Sequence, residues 1–139
     1  MMLRCAAAIM MLAGLGGLAP QEPSQPAAST ELARTASTIT GQPISLPPAP
    51  FEVVFTRTVL PAGGVLPMHK HPWPRYALVE SGRIRVRYEA AGIEREFGPG
   101  DALIETVDAW HEGATVGAEP VRILVIDHVP PGQANVVRR

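Results

Sequence analysis

Arg83 to Tyr88 alternates without a break: Arg83, Arg85 and Arg87 fall on one side, Ile84, Val86 and Tyr88 on the other. Successive side chains of an extended chain point to opposite faces, so this period of two marks a half-buried β-strand. Turn formers frame it. Gly82 precedes it, Ala90-Ala91-Gly92 ends it as a hairpin turn, and Ile93 to Phe97 returns to a second turn at Gly98-Pro99-Gly100-Asp101. The pattern of short strand and tight turn continues on both sides. Phe51 to Leu60 is rich in Val, Phe and Thr and stops at Pro61-Ala62-Gly63-Gly64; Tyr76 to Ser81, Ala102 to Ile104, Ala109 to Thr115 and Val121 to Val129 complete the set. No segment holds a helical period. The expected fold class is all-β, an antiparallel sandwich or barrel. The three arginines are either an anion patch or, as exposed strand charge commonly is, a solvated or dimer-facing sheet surface.

The chain before Phe51 is of another kind. Only Arg4, Glu22, Glu31 and Arg34 are charged in residues 1–50, against 21 charged residues in 51–139. Met1-Met2-Leu3-Arg4 leads into an uncharged run of 15 residues, Cys5 to Ala19. At 1.5 Å per residue that run is short for a membrane span, and a basic start followed by such a run is the layout of a secretory signal peptide. Residues 1–19 are therefore expected to be a signal peptide and the mature chain to be secreted or periplasmic. Cys5 is the only cysteine, so no intramolecular disulfide can form and no multi-cysteine metal site exists. Residues 20–42, rich in Pro, Ala and Ser, read as a linker. Gly41 to Leu46 could form a first edge strand, and the domain proper is expected from residue 43 to 129. Residues 130–139 read as a frayed tail.

Twelve Lys and Arg against thirteen Asp and Glu leave a net charge of −1. That balance gives no electrostatic reason to propose nucleic acid, or a membrane surface once the signal is removed. A small-molecule ligand is the expected partner, and a homodimer is left open. About 90 residues suffice for a modest barrel core.

The remaining chemistry lies in four histidines, all beyond residue 68. His69 and His71 are separated by one residue, so on an extended chain both imidazoles point to the same side. Pro67 and Pro72 stiffen the segment. His111 lies in another expected strand. If the three converge, they make a facial site with coordination positions left for water, substrate or O₂. Two histidines at this spacing occur equally on surface loops, and on spacing alone both readings stand.

Two longer patterns bear on the choice. Gly63 to Gly82 (GGVLPMHKHPWPRYALVESG) resembles the first motif of the cupin superfamily, G-x5-H-x-H-x3-4-E-x6-G, matching at Gly63, His69, His71 and Gly82. Gly100 to Thr115 (GDALIETVDAWHEGAT) resembles the second, G-x5-P-x-G-x2-H-x3-N, matching at Gly100 and His111. The family's glutamate falls at Arg75, and its proline, second glycine and asparagine fall at Thr106, Asp108 and Thr115. The resemblance spans about Pro43 to Val129. It implies a cupin-type antiparallel β-barrel, a double-stranded β-helix or jelly roll. It also implies a divalent metal cation (Fe, Mn, Ni or Zn) held by His69, His71 and His111. Such folds host isomerases, dioxygenases, storage proteins and sensors, so fold alone does not give function. Three readings follow: a metal-dependent dioxygenase or isomerase acting on a small anionic molecule, a binding module without turnover, and a metal-free structural barrel.

Arg75 either pairs with an anionic group of a bound substrate or turns outward to solvent. Restoring the family's residue by Arg75→Glu would then add a fourth ligand and tighten metal binding. Trp73 and Tyr76 are further candidates for the substrate pocket. Trp110 alternates away from His111. Glu105 and Glu112 fit solvent-facing strand positions or acid–base roles. His128 shares a face with Leu124 and Ile126 and reads as structural.

Overall fold

The computed structural model describes residues 26–139. Nine strands account for the regular structure, in chain order β1 (Glu52–Leu60), β2 (Val65–Lys70), β3 (Arg75–Ser81), β4 (Ile84–Tyr88), β5 (Ile93–Phe97), β6 (Ala102–Glu105), β7 (His111–Thr115), β8 (Val121–Val129) and β9 (Val137–Arg138). A single 3-10 turn, Glu89–Ala91, joins β4 to β5. Every strand pair is antiparallel, in two sheets ordered β1-β8-β3-β6 and β5-β4-β7-β2-β9. The architecture is the expected jelly-roll barrel.

Alternation decides what enters the core. Ile84, Val86 and Tyr88 are buried while Arg85 and Arg87 are exposed. On β8, Val121, Ile123, Val125, Asp127 and Val129 are buried in turn. Ile84, Val86, Tyr88, Val121, Ile123 and Val125 form one core with Leu60, Ala77, Val79 and Leu103. The exposed arginines are cross-strand ion pairs: Arg85 with Glu96 at 2.7 Å and Arg87 with Glu112 at 2.6 Å, each directly opposite in register. Gly82 closes the β3–β4 turn at φ +72°, where a Cβ would stand 2.4 Å from the Pro120 carbonyl oxygen; no other residue fits there.

Residues 1–19, the expected signal peptide, lie outside the described residues. Three later stretches differ from the sequence expectation. The linker ends earlier than residue 42: Thr38 and Ile39 are buried, Ile39 N–H donates to the Ile104 carbonyl at 2.9 Å, and the Thr106 hydroxyl donates to Thr38 at 3.2 Å. Gly41–Leu46 forms no strand, only a bridge between Ser37 and Pro43. The tail does not fray. It turns back, pairs β9 with β2, and buries Asn135.

Candidate metal centre

His69 lies near the end of β2, His71 directly follows the strand, and His111 opens β7. The β2–β7 register places His69 directly opposite His111, and a bridge holds His71 against Val107. The three rings meet at one end of the barrel interior, with centroids 4.3, 4.9 and 5.0 Å apart, and all three are buried. Glu105, the last residue of β6, joins them. Its Oε2 lies 2.8 Å from His71 Nε2 and 2.9 Å from His111 Nε2. Ligand atoms from all four residues lie within 4.8 Å of one another.

A backbone carbonyl orients each imidazole. His69 Nδ1 faces the Pro67 carbonyl at 2.7 Å, His71 Nδ1 that of Asn135 at 2.5 Å, and His111 Nδ1 that of Ala109 at 2.9 Å. A carbonyl only accepts, so in each ring Nδ1 carries the proton and the neutral ring's Nε2 is a bare lone pair. Those lone pairs and the Glu105 carboxylate converge with no proton of their own to share. Glu105 Oε2 and His111 Nε2 are buried without a hydrogen-bond partner. Leaving such atoms unsatisfied costs about 1–3 kcal/mol each. A cation among them removes that cost, and outer carbonyls that fix the imidazole tautomer are the usual support of a histidine-bound metal. The four residues therefore fit a divalent metal.

The electrostatics agree. Burial, then the neighbouring His111, push His69 down to about 4, so it is neutral and ready to coordinate at pH 7. Burial pushes the Glu105 carboxyl up; protonation of the facing His111 and His71 on Nε2, or a cation in the place of those protons, outweighs it and draws the group below the ordinary carboxylate range. Tyr88 closes the wall behind His111: the two rings stack at 4.7 Å and 27°, and the Tyr88 hydroxyl accepts the Thr106 N–H at 3.1 Å.

Arg75 stands in the middle of a charged row. Glu105 is directly opposite it on β6 and Asp127 directly opposite it on β8. Its fork closes on Asp127, with Nε and Nη2 each donating at 2.7 Å, and Nη1 lies 3.3 Å from His71 Nε2. Arg75 thus points inward, paired with Asp127 and lining the central cavity, which corrects the expectation that it turns outward to solvent. Arg75 stands where the family's first motif has glutamate, and the carboxylate beside the histidines belongs to Glu105, one strand across. Trp73 and Tyr76 do not line the central cavity. Trp73 is tied to the last segment, its N–H donating to Asn135 Oδ1 at 2.9 Å and its ring N–H to Gln133 at 3.3 Å. Tyr76 follows Arg75 in the strand and so faces outward, into a groove with Leu78, Leu124 and Ile126. His128 is on that outer face too, between Phe51 and Tyr76 with centroids at 5.4 and 5.2 Å.

Glu105, for which a solvent-facing strand position was one expectation, turns inward instead, and its register carries a signal, as does that of Asp127. Glu105 shares a strand face with Leu103, and Asp127 with Ile123 and Val125, so both carboxylates follow an inward apolar register. Asn135 had none: it lies beyond Pro130-Pro131 in a segment without periodicity.

A cupin domain model matches residues 56–127. No curated protein sequence matches the chain. Among solved structures, the DMSP lyase DddQ of Ruegeria pomeroyi is similar at 23% identity and a TM-score of 0.54, over 62% of this chain and 42% of that one. The polyketide cyclase RemF of Streptomyces resistomycificus matches at 24% identity and a TM-score of 0.53, over 63% and 61%. The oxalate decarboxylase of Lactobacillus farciminis matches at 21% identity and a TM-score of 0.53, over 62% and 26%. The matched part is less than two thirds of each of those proteins, and likeness at this identity speaks for the fold. Family match, fold and inward-facing histidines agree: the chain belongs to the cupin superfamily, with its motif glutamate replaced by arginine.

Proposed function

We propose that this barrel holds one divalent transition metal on His69, His71, His111 and Glu105 and presents it to a small molecule in the adjoining cavity. The observation that carries the reading is the tautomer pattern: every Nδ1–H is committed to a backbone carbonyl, so three unprotonated Nε2 atoms, that of His71 also within reach of Arg75 Nη1, and a carboxylate face one another in a buried space. Imidazole with one carboxylate suits Fe, Mn, Ni or Zn. Such an ion supplies Lewis-acid polarisation of a ligand oxygen. The chain's own residues orient the rings through Pro67, Ala109 and Asn135, balance part of the charge through Glu105, and keep water out with the aliphatic wall. Glu105 is the one carboxylate lining the cavity among the described residues. Turnover needing a separate general base would therefore have to borrow a ligand, which favours chemistry at the metal or binding alone.

Elemental analysis of the purified protein tests this, with about one metal per chain as the expected result. His69→Ala, His71→Ala and His111→Ala should each lose most of it, and His128→Ala should not. Metal-free parent protein, or alanine variants that bind like the parent, would leave the metal-free structural barrel. With metal present, O₂ uptake on candidate substrates separates a dioxygenase from an isomerase or a carrier.

A further inference from the structure

The cavity beside the histidines has a volume of about 350 Å³, with walls from Leu66, Ile84, Val86, Ile123 and Val125. That is the lower part of the range of small-molecule sites, about 300–1,000 Å³. An aliphatic group entering it leaves water, which favours binding. Two arginines reach the same space, Arg75 and Arg138. Arg75 is closed on Asp127. Arg138 differs. It stands on β9 directly opposite His69, and opposite residues of an antiparallel pair present their side chains to one face. It therefore leans over the cavity from the solvent side, where it is exposed. Two of the nearby acids are committed elsewhere, Asp127 to Arg75 and Glu112 to Arg87, and Glu105 faces the histidines as a candidate ligand.

We propose that Arg138 is the carboxylate anchor of this cavity and that the ligand is a small aliphatic monocarboxylate. This rests on the cavity being the small-molecule site beside the metal and names the class of molecule it takes. The carboxylate lies at the mouth, against the guanidinium and the cationic floor; the hydrocarbon lies along the aliphatic wall. A divalent cation held by three neutral imidazoles and one carboxylate keeps one positive charge, and Arg138 adds another. An acid is thus favoured over its uncharged amide. Arg138 lies outside both histidine motifs, on the same returning segment whose Asn135 carbonyl orients His71.

The test titrates the full chain, metal-free and zinc-loaded, with butanoate and with butanamide, followed by calorimetry. Butanoate should bind and butanamide should bind about tenfold more weakly or less, the size of one charge-assisted hydrogen bond. Arg138→Ala should lose the same factor for butanoate, and Arg138→Lys should recover part of it. Zinc content should match the parent in both variants, since Arg138 offers no lone pair. Equal binding of acid and amide overturns the proposal, as does an Arg138→Ala variant that binds butanoate like the parent. So does a variant that loses zinc together with butanoate, because Arg138 would then act through the strand. A parent that binds butanoate through Arg138 but no zinc sinks the metal reading and leaves this one. A parent that binds zinc but neither probe does the reverse.

Discussion

Glu105→Gln keeps the shape of the side chain and removes its charge. If Glu105 is the fourth ligand, the variant should hold zinc at least about tenfold more weakly in a chelator competition, as loss of a charged partner implies. Retention of parental affinity would leave a three-histidine site. Arg75→Glu is the opposite kind of change. From the motifs alone it restores a ligand; in the fold it sets three carboxylates abreast across β6, β3 and β8 and leaves Asp127 buried without its partner. Breaking a buried pair costs about 3–5 kcal/mol, so urea melts should show a large loss of stability, with no gain in metal affinity. His69 sets a pH dependence. Its folded value of about 4 lies below the ordinary 6.5. Between the two, the unfolded chain takes up a proton that the folded chain refuses, so stability of the metal-free protein should fall as pH drops from 6.5 towards 4. His69→Gln should flatten that slope; an unchanged slope would place the effect on another group. Asp108 shows how the second motif survives a departure: it takes φ +59° where the family has glycine, a conformation Asp tolerates better than most residues.

Among the elements, the segment after β8 has the most influence for its length. The Asn135 carbonyl accepts from His71 Nδ1 at 2.5 Å, and its side-chain amide donates to Asp127 at 2.7 Å and to the Trp73 carbonyl at 3.0 Å. One residue thus braces a candidate ligand, the partner of Arg75, and the turn after the histidine pair. Asn135→Ala keeps the carbonyl and removes the amide, so it should cost about 1–3 kcal/mol through the orphaned Asp127 and Trp73 groups. Deleting residues 130–139 also removes the acceptor that orients His71. Zinc affinity should then fall by about 10- to 100-fold, the usual cost of losing support behind a ligand. A truncated chain that still binds zinc like the parent would mean that the ring is oriented from elsewhere. The β4 strand, by contrast, behaves as its alternation dictates, with its arginines in exposed cross-strand pairs worth about 0.2–1 kcal/mol each.

For the whole molecule, the boundary of the folded unit and its destination can be tested separately. Residues 26–36 are exposed, whereas Thr38 and Ile39 are buried against β6. Limited proteolysis should cut before residue 37 and spare the chain from there to Arg139. Protection of 26–36 would mean that this stretch packs as well. Export is proposed from the basic start and the apolar run of Cys5 to Ala19 alone; full-length protein that keeps Met1 and stays in the cytosol of a Gram-negative host would refute it. The strands, their inward faces and the three histidines were legible in the sequence, because period-two alternation and turn chemistry are local. Glu105 beside Arg75, the Asp127 fork, and the return of Asn135 and Arg138 over the site were not, because each depends on which strands lie side by side. Spacing along one strand fixes which face a side chain occupies; only the packed sheets decide which charge from another strand meets it there. Here they set Glu105 and Asp127 on either side of Arg75 and gave His71 a proton acceptor 64 residues away.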